Sequence, residues 1–162
     1  MTSISSLQVV KVDPQGDDAL ALLREAAIEA RILYAELHGP DDPWPTNAAT
    51  PPRGIYLIAY LDGQPVGMGA HRPLDHHATE IRRMFTRVQA RRAGVARAIL
   101  RALQVHAIEE GFTELKLETG FKQRPAIALY ESFGFVRTPS FGPYVHDPTS
   151  VCFAKRISGG EG

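Results

Sequence analysis

The sequence predicts a mixed α/β domain, a sheet of short strands flanked by helices. Three observations predict it. Short runs rich in β-branched and aromatic residues alternate with longer segments whose apolar residues recur at helical spacing. An Asp62-Gly63 pair between two apolar runs marks a tight hairpin. Small residues open a helix near Gly94, directly after a strand-like segment. Such a turn lets main-chain N–H groups approach an anion.

Size and composition set outer bounds. At 162 residues the chain suits one domain with one core. Its 44% hydrophobic and 22% charged content is that of an ordinary globular protein. A net charge of zero argues against nucleic-acid binding, which needs a broad basic excess. The single cysteine, Cys152, can form no internal disulfide and fits a reducing cytosol. Met1 to Asp13 has no basic segment followed by an apolar run, and no stretch approaches a membrane span. The expectation is a cytoplasmic protein with no membrane or nucleic-acid partner, a homodimer being left open.

The elements follow in order. Leu7 to Val12 is the first strand. Asp17 or Asp18 caps a helix that carries Leu20, Leu22, Leu23, Ala27, Ala30 and Leu33 and runs to about Leu37. Gly39 to Arg53, with Trp44, is a Pro- and Asp-rich loop with room for a helical turn. Ile55 to Leu61 and Pro65 to Ala70 flank the hairpin, and Asp75-His76-His77 links to a fourth strand, Glu80 to Thr86. A long helix from about Gly94 carries Val95, Ile99, Leu100, Leu103 and Ala107 and stops at Gly111. Glu114 to Thr119 is the fifth strand. Pro125 suits the first turn of a helix reaching Ser132. Phe135 to Thr138 and Ser150 to Lys155 complete the sheet, and Ser158 to Gly162 is expected to fray.

Charge and periodicity point to a site. Arg82, Arg83, Arg87, Arg91, Arg92, Arg97 and Arg101 fall between Ile81 and Arg101 with no acid among them, which concentrates basic charge where a phosphate site would lie. Gly94 and Ala96 leave its approach open. On the fourth strand strict alternation groups Glu80, Arg82, Met84 and Thr86 on one face, with Ile81, Arg83 and Phe85 opposite. On the fifth it groups Glu114, Lys116 and Glu118 opposite Leu115, Leu117 and Thr119. A charged face on a central strand marks a cleft.

Arg91-x-x-Gly94-x-Ala96 resembles the (Arg/Gln)-x-x-Gly-x-(Gly/Ala) loop of the GNAT superfamily of acyl-CoA N-acyltransferases. Met84-Phe85-Thr86-Arg87-Val88 resembles the strand and link before that loop, and Ala126-Ile127-Ala128-Leu129-Tyr130-Glu131-Ser132-Phe133-Gly134-Phe135 resembles the second marker of the family. Order and spacing match over about residues 55–155. Ala96 replaces the commoner second Gly, and Gln123 stands where many members carry Asn. The resemblance implies the GNAT fold, a mostly antiparallel mixed sheet whose fourth and fifth strands splay around the pantetheine arm. It implies acetyl-CoA as co-substrate, and no metal is expected. Arg91, Arg92, Ala93, Gly94, Val95, Ala96 and Arg97 would cradle its pyrophosphate, Met84, Phe85 and Thr86 would hold its arm, and Gln123 would stand beside it.

Acyl transfer then defines the remaining roles. An alkyl ammonium, with a pKa of about 10, must lose a proton before it attacks a thioester. A nearby carboxylate can take it. Glu80 is the first candidate, in a position that resembles that of the catalytic Glu in the histone-acetylating branch. Glu118 is the second, and Tyr130 matches the Tyr of the family that protonates the departing thiolate. Each has a plainer alternative: Glu80 or Glu118 as the partner of a nearby cation, Tyr130 as a packed ring. His71, His76 and His77 show no spacing that demands a metal, and Cys152 reads as a core filler. The acceptor pocket is expected from Gly39–Arg53 and Ser140–Asp147, where Phe141-Gly142-Pro143-Tyr144 either lines it or forms a turn. The expected activity is transfer of acetyl from acetyl-CoA to an amine by direct attack in a ternary complex. The alternatives are a non-catalytic acyl-CoA sensor and an enzyme acting on a protein or tRNA amine.

Overall fold

The computed structural model describes residues 6–158. Seven strands form one sheet: β1 (Leu7–Lys11), β2 (Ile55–Leu61), β3 (Gln64–Pro73), β4 (Ala78–Thr86), β5 (Glu114–Gly120), β6 (Val136–Thr138) and β7 (Ser150–Arg156). Their order is β1-β2-β3-β4-β5-β7-β6. Only the β4–β5 pair is parallel. The crossover between them is helix α2 (Val95–Glu109), as a parallel connection requires. Helices α1 (Asp17–Leu33) and α3 (Arg124–Ser132) complete the layers.

Each face of the sheet has its own core. Ile99, Leu100 and Leu103 of α2 pack with Ile81, Leu115, Leu117 and Phe153 on one face. Ala19, Leu22 and Leu23 of α1 pack with Tyr56, Ile58 and Met68 on the other. Close approach of α2 depends on glycine in β3. A Cβ on Gly69 would stand 2.6 Å from both Ile99 Cγ2 and Met84 Sδ.

Several expectations need correction. Gly16 is the residue that caps α1; Asp17 and Asp18 lie in its first turn, where their charge suits the helix dipole. The helix ends at Leu33, and only a short 3₁₀ turn, Ala35–Leu37, follows. Gly39 to Arg53 is a loop as expected, with no helical turn in it. The hairpin closes on Asp62-Gly63 as expected, both residues at positive φ. Gly159 to Gly162, most of the tail expected to fray, lie outside the described residues.

The face assignment on β4 is also corrected. Arg83 and Met84 together oppose the single residue Gly69, and Arg83 has φ +63°. This bulge breaks the alternation. Glu80, Arg82 and Phe85 face α1, whereas Met84 joins Ile81 on the α2 face. Glu80 and Met84 therefore do not share a face.

Candidate active site

The parallel ladder between β4 and β5 is short. It runs from Ala78–Ile81 against Glu114–Leu117, and past it the two strands part. β5 continues against β7 through Glu118, Thr119 and Gly120, while β4 follows β3 through Phe85 and Thr86. The result is a seam in the middle of the sheet with main-chain groups of Met84, Phe85 and Thr86 along one edge.

At the end of this seam α2 begins. Gly94 is its N-cap at φ +80°, and no side chain caps the helix. The first helical bond runs from Ala98 N–H to Gly94 O at 3.0 Å. The N–H groups of Val95, Ala96 and Arg97 thus have no intrahelical acceptor and face outward. Arg91 to Gly94 are exposed, and nothing lies within 4 Å of the place a Gly94 Cβ would take. Open space, orphan donors and the positive end of a helix suit the phosphates of a coenzyme A group.

The basic cluster is divided rather than pooled at this loop. Arg91 donates to Glu29 of α1 at 2.6 Å and to the Thr86 carbonyl at 2.9 Å. Arg87 is bound bidentately by Glu25. Arg97 donates to Ser132 Oγ, tying α2 to α3. Arg82 and Arg83 line a pocket on the α1 face. Arg92 remains exposed at the turn, at φ +67°. Gln123 is the N-cap of α3, its carbonyl accepting from Ile127 N–H.

Both candidate bases stand on the α1 face near the point where the strands part. Glu80 is buried, with 2% exposure, and opposes Lys116 in the ladder. Its Oε2 accepts from the Tyr144 hydroxyl at 2.6 Å, and its Oε1 lies 3.7 Å from Arg72 Nε. Burial and the bond to Glu80 push the Tyr144 phenol well above its usual range. Glu118 is the first residue of β5 beyond the parallel ladder and is half-buried. It accepts from Ser150 Oγ at 2.6 Å. Burial raises its proton affinity, and the charges of Asp147 and Glu80 add to this against the Ser150 bond.

Tyr130 lies on the opposite face, buried against Phe135 and Phe153. Burial, then the charge of Glu118, drives its phenol far above the usual range, so it holds its proton firmly. Among the described residues its hydroxyl has no hydrogen-bond partner, and no fully buried side-chain polar atom is left unpartnered. The oxygen therefore reaches accessible space.

The histidines do not converge. His71 is buried and bonded to Thr79 Oγ1 at 2.7 Å and to His106 Nδ1 at 2.9 Å, whereas His76 and His77 are exposed and meet edge to face. Among the described residues no group of three or more His, Cys, Asp or Glu could hold a metal ion. Cys152 is buried beside Glu118 in the β5–β7 ladder.

Three features escaped the sequence reading: Tyr144 as the partner of Glu80, Ser150 as the partner of Glu118, and the pocket arginines. Phe141-Gly142-Pro143-Tyr144 was a visible aromatic turn, and here Phe141 and Tyr144 stack edge to face. The sequence could not show which carboxylate that turn would meet.

Residues 20–135 match the acetyltransferase (GNAT) family. The chain is 36% identical over 108 residues to the uncharacterised N-acetyltransferase YsnE of Bacillus subtilis (strain 168), covering 65% of this chain and 72% of that one. It is 37% identical over 104 residues to an IAA acetyltransferase of Azospirillum brasilense, covering 63% and 67%. Its fold superposes on a Klebsiella pneumoniae structure ascribed to the acyl-CoA N-acyltransferases with a TM-score of 0.75 at 29% identity, over 93% of this chain and 97% of that one. Two further neighbours carry the ligand. A GNAT acetyltransferase of Elizabethkingia anophelis holds acetyl-CoA (TM-score 0.66, 14% identity, 93% and 98% covered). PaiA N-acetyltransferase of Thermoplasma acidophilum holds coenzyme A (TM-score 0.69, 14% identity, 94% and 99% covered). With the parted parallel strands and the helix start beside them, these matches define the class: the chain belongs to the acetyltransferase (GNAT) family. It is an acyltransferase of the N-acetyltransferase type, as the named relatives are. No described helix is long and apolar enough to cross a membrane.

Proposed function

We propose that the protein transfers the acetyl group of acetyl-CoA to an amine by direct attack in a ternary complex. The observation that carries this reading is the placement of two proton-handling groups on opposite faces of one seam, Glu118 on the α1 face and Tyr130 on the α2 face. Acetyl-CoA, when bound, supplies an acyl group activated as a thioester. The N–H groups of Val95, Ala96 and Arg97 would hold its phosphates, with Arg92 beside them. The main chain of Met84 to Thr86 would hold its arm and donate to the acyl oxygen, and Gln123 would border it from α3.

Glu118 takes the proton of the incoming ammonium. Its raised proton affinity makes it a better base than an ordinary carboxylate, and half-burial leaves it reachable. This reverses the order expected from the sequence, because Glu80 is buried and already bonded by Tyr144. Glu80 instead positions Tyr144 and Arg72 around the acceptor. Tyr130, which keeps its proton, is suited to donate it to the departing thiolate.

Calorimetric titration with acetyl-CoA, followed by a thiol-release assay over a panel of amines, tests the reading. It is supported by binding near one site per chain with amine-dependent release. Binding without release for any amine would leave a sensor, and absence of binding by folded protein would remove the donor itself.

A further inference from the structure

We infer that the acceptor is an amine that also carries a carboxylate, held by Arg82 and Arg72 with its amino group toward Glu118. This rests on the acetyl-transfer reading above and names its substrate class. A pocket of about 300 Å³ lies on the α1 face between β2, β3, β4 and the loop of Thr46 to Pro51. That volume is at the small end for ligand pockets. Part of the wall is apolar, from Ile55, Ala70 and Ala48, and three guanidinium groups, Arg72, Arg82 and Arg83, face it.

The three cations are not equivalent. Arg83 is committed to the protein: its Nε donates to Asn47 Oδ1 at 3.0 Å and its Nη2 to the Thr46 carbonyl at 3.1 Å. Burial, together with Arg82 and Arg72 alongside, disfavours its charge, which shows how crowded with positive charge this wall is. Arg72 meets only Glu80, at 3.7 Å. Arg82 is half-buried, and no hydrogen bond or ion pair engages its side chain among the described residues. Among the described residues the one ion pair made by these three cations is that of Arg72 with Glu80, which also serves Tyr144. A half-buried guanidinium with no ion-pair partner favours an anion, and its planar fork matches a carboxylate. The same wall repels polyamines.

Arg82 also fixes the orientation. Arg82 and Glu118 each lie two residues beyond the Glu80–Lys116 pair, on the α1 face where β4 and β5 part, so one small molecule can present its carboxylate to Arg82 and its amine to Glu118. The apolar wall accommodates an aliphatic or aromatic side group. Amino acids with apolar side chains have this outline.

The test compares apolar amino acids with their amides, and with aliphatic diamines, as acceptors in the presence of acetyl-CoA. The amine of the amide is the less basic, so preference for the free acid runs against intrinsic reactivity. The expected result is a kcat/KM at least about 10-fold higher for the acid, the scale of one charged hydrogen bond. Arg82→Gln should bring acid and amide to parity with the KM for acetyl-CoA unchanged, and Arg82→Lys should keep part of the preference. A binding readout stands beside these: N-acetyl amino acid should bind wild type in calorimetry, without acetyl-CoA, and lose that binding in Arg72→Gln. Amides or diamines used as well as acids, or discrimination that survives Arg82→Gln, would overturn the inference while leaving acetyl transfer standing. An enzyme that acetylates none of the three acceptor types would overturn the inference, and only failure with every amine of the wider panel would overturn acetyl transfer as well.

Discussion

Glu118 and His71 are both partly or wholly buried titratable residues, and burial acts on them in opposite senses. A carboxylate is charged when deprotonated, so burial raises the proton affinity of Glu118. The proposed base is therefore present only above a pKa higher than that of an ordinary carboxylate. Glu118→Gln should lower kcat/KM by about 10²-fold near neutral pH, within the usual range for a general base. The deficit should shrink as pH rises toward the pKa of the amine, where the acceptor no longer needs a base. A pH–rate profile of wild type and variant checks this, and a deficit constant with pH would return the role to Glu80 or to water. Imidazole is charged when protonated, so burial, then the charge of His106, lowers His71 to about 4 from 6.5. The unfolded chain then takes up this proton first as pH falls. Stability from this residue is complete above about pH 6.5 and lost on the way down to about pH 4, amounting to about 3 kcal/mol. Unfolding titrations across that interval should show a shallower pH dependence in His71→Gln than in wild type. Such pairings were not legible in the sequence, where His71 and His106 are separated by 35 positions.

Among the elements, α2 was read with good fidelity because its signals are local. A glycine at positive φ, a run of apolar residues at helical spacing and a second glycine bound it on both sides. The Gly94 turn also permits a clean test. A Cβ there would meet no protein atom within 4 Å, so the main cost of substitution is left-handed strain, on the order of 1 kcal/mol. Gly94→Glu should therefore fold, as judged by circular dichroism, yet lose acetyl-CoA affinity by more than about 100-fold, since bulk and negative charge would sit at the outward N–H groups. Retained affinity in calorimetry would remove this helix start as the phosphate site. β4 was read less well, although its sequence held a warning. Arg82 and Arg83 are adjacent, so strict alternation would have put one guanidinium beneath α2. A buried unpaired charge is costly enough to make a regular strand improbable there. The bulge resolves the conflict by turning both toward the pocket.

At the scale of the whole molecule, strand order and the parted β4–β5 pair agreed with the fold that the family resemblance implied. Distribution of charge did not follow the sequence expectation. Glu25 and Glu29 of α1 reach across to neutralise Arg87 and Arg91, a pairing of residues 62 positions apart. A sequence window sees the arginines alone. The acceptor side is likewise held from a distance. Trp44 lies between the guanidinium groups of Arg24 and Arg31, each 3.6 Å from the ring, and Arg31 also binds the carbonyls of Asp42 and Pro43. This pins the loop that walls the pocket onto α1. Trp44→Ala should raise the KM for the acceptor several-fold and lower stability by about 1–2 kcal/mol, with the KM for acetyl-CoA unchanged. Steady-state kinetics with each substrate varied in turn would check it, and equal effects on both constants would show a general loosening of the fold.

The bulge at Arg83 has one more consequence. β4 changes phase there by a single residue, so the strand is even-handed toward α1 before it and odd-handed after it. Everything C-terminal to that point, side chains and main-chain donors alike, is allotted to one wall or the other by the number of residues rather than by their identity. A substitution in this stretch alters one wall. A deletion of one residue would exchange the two.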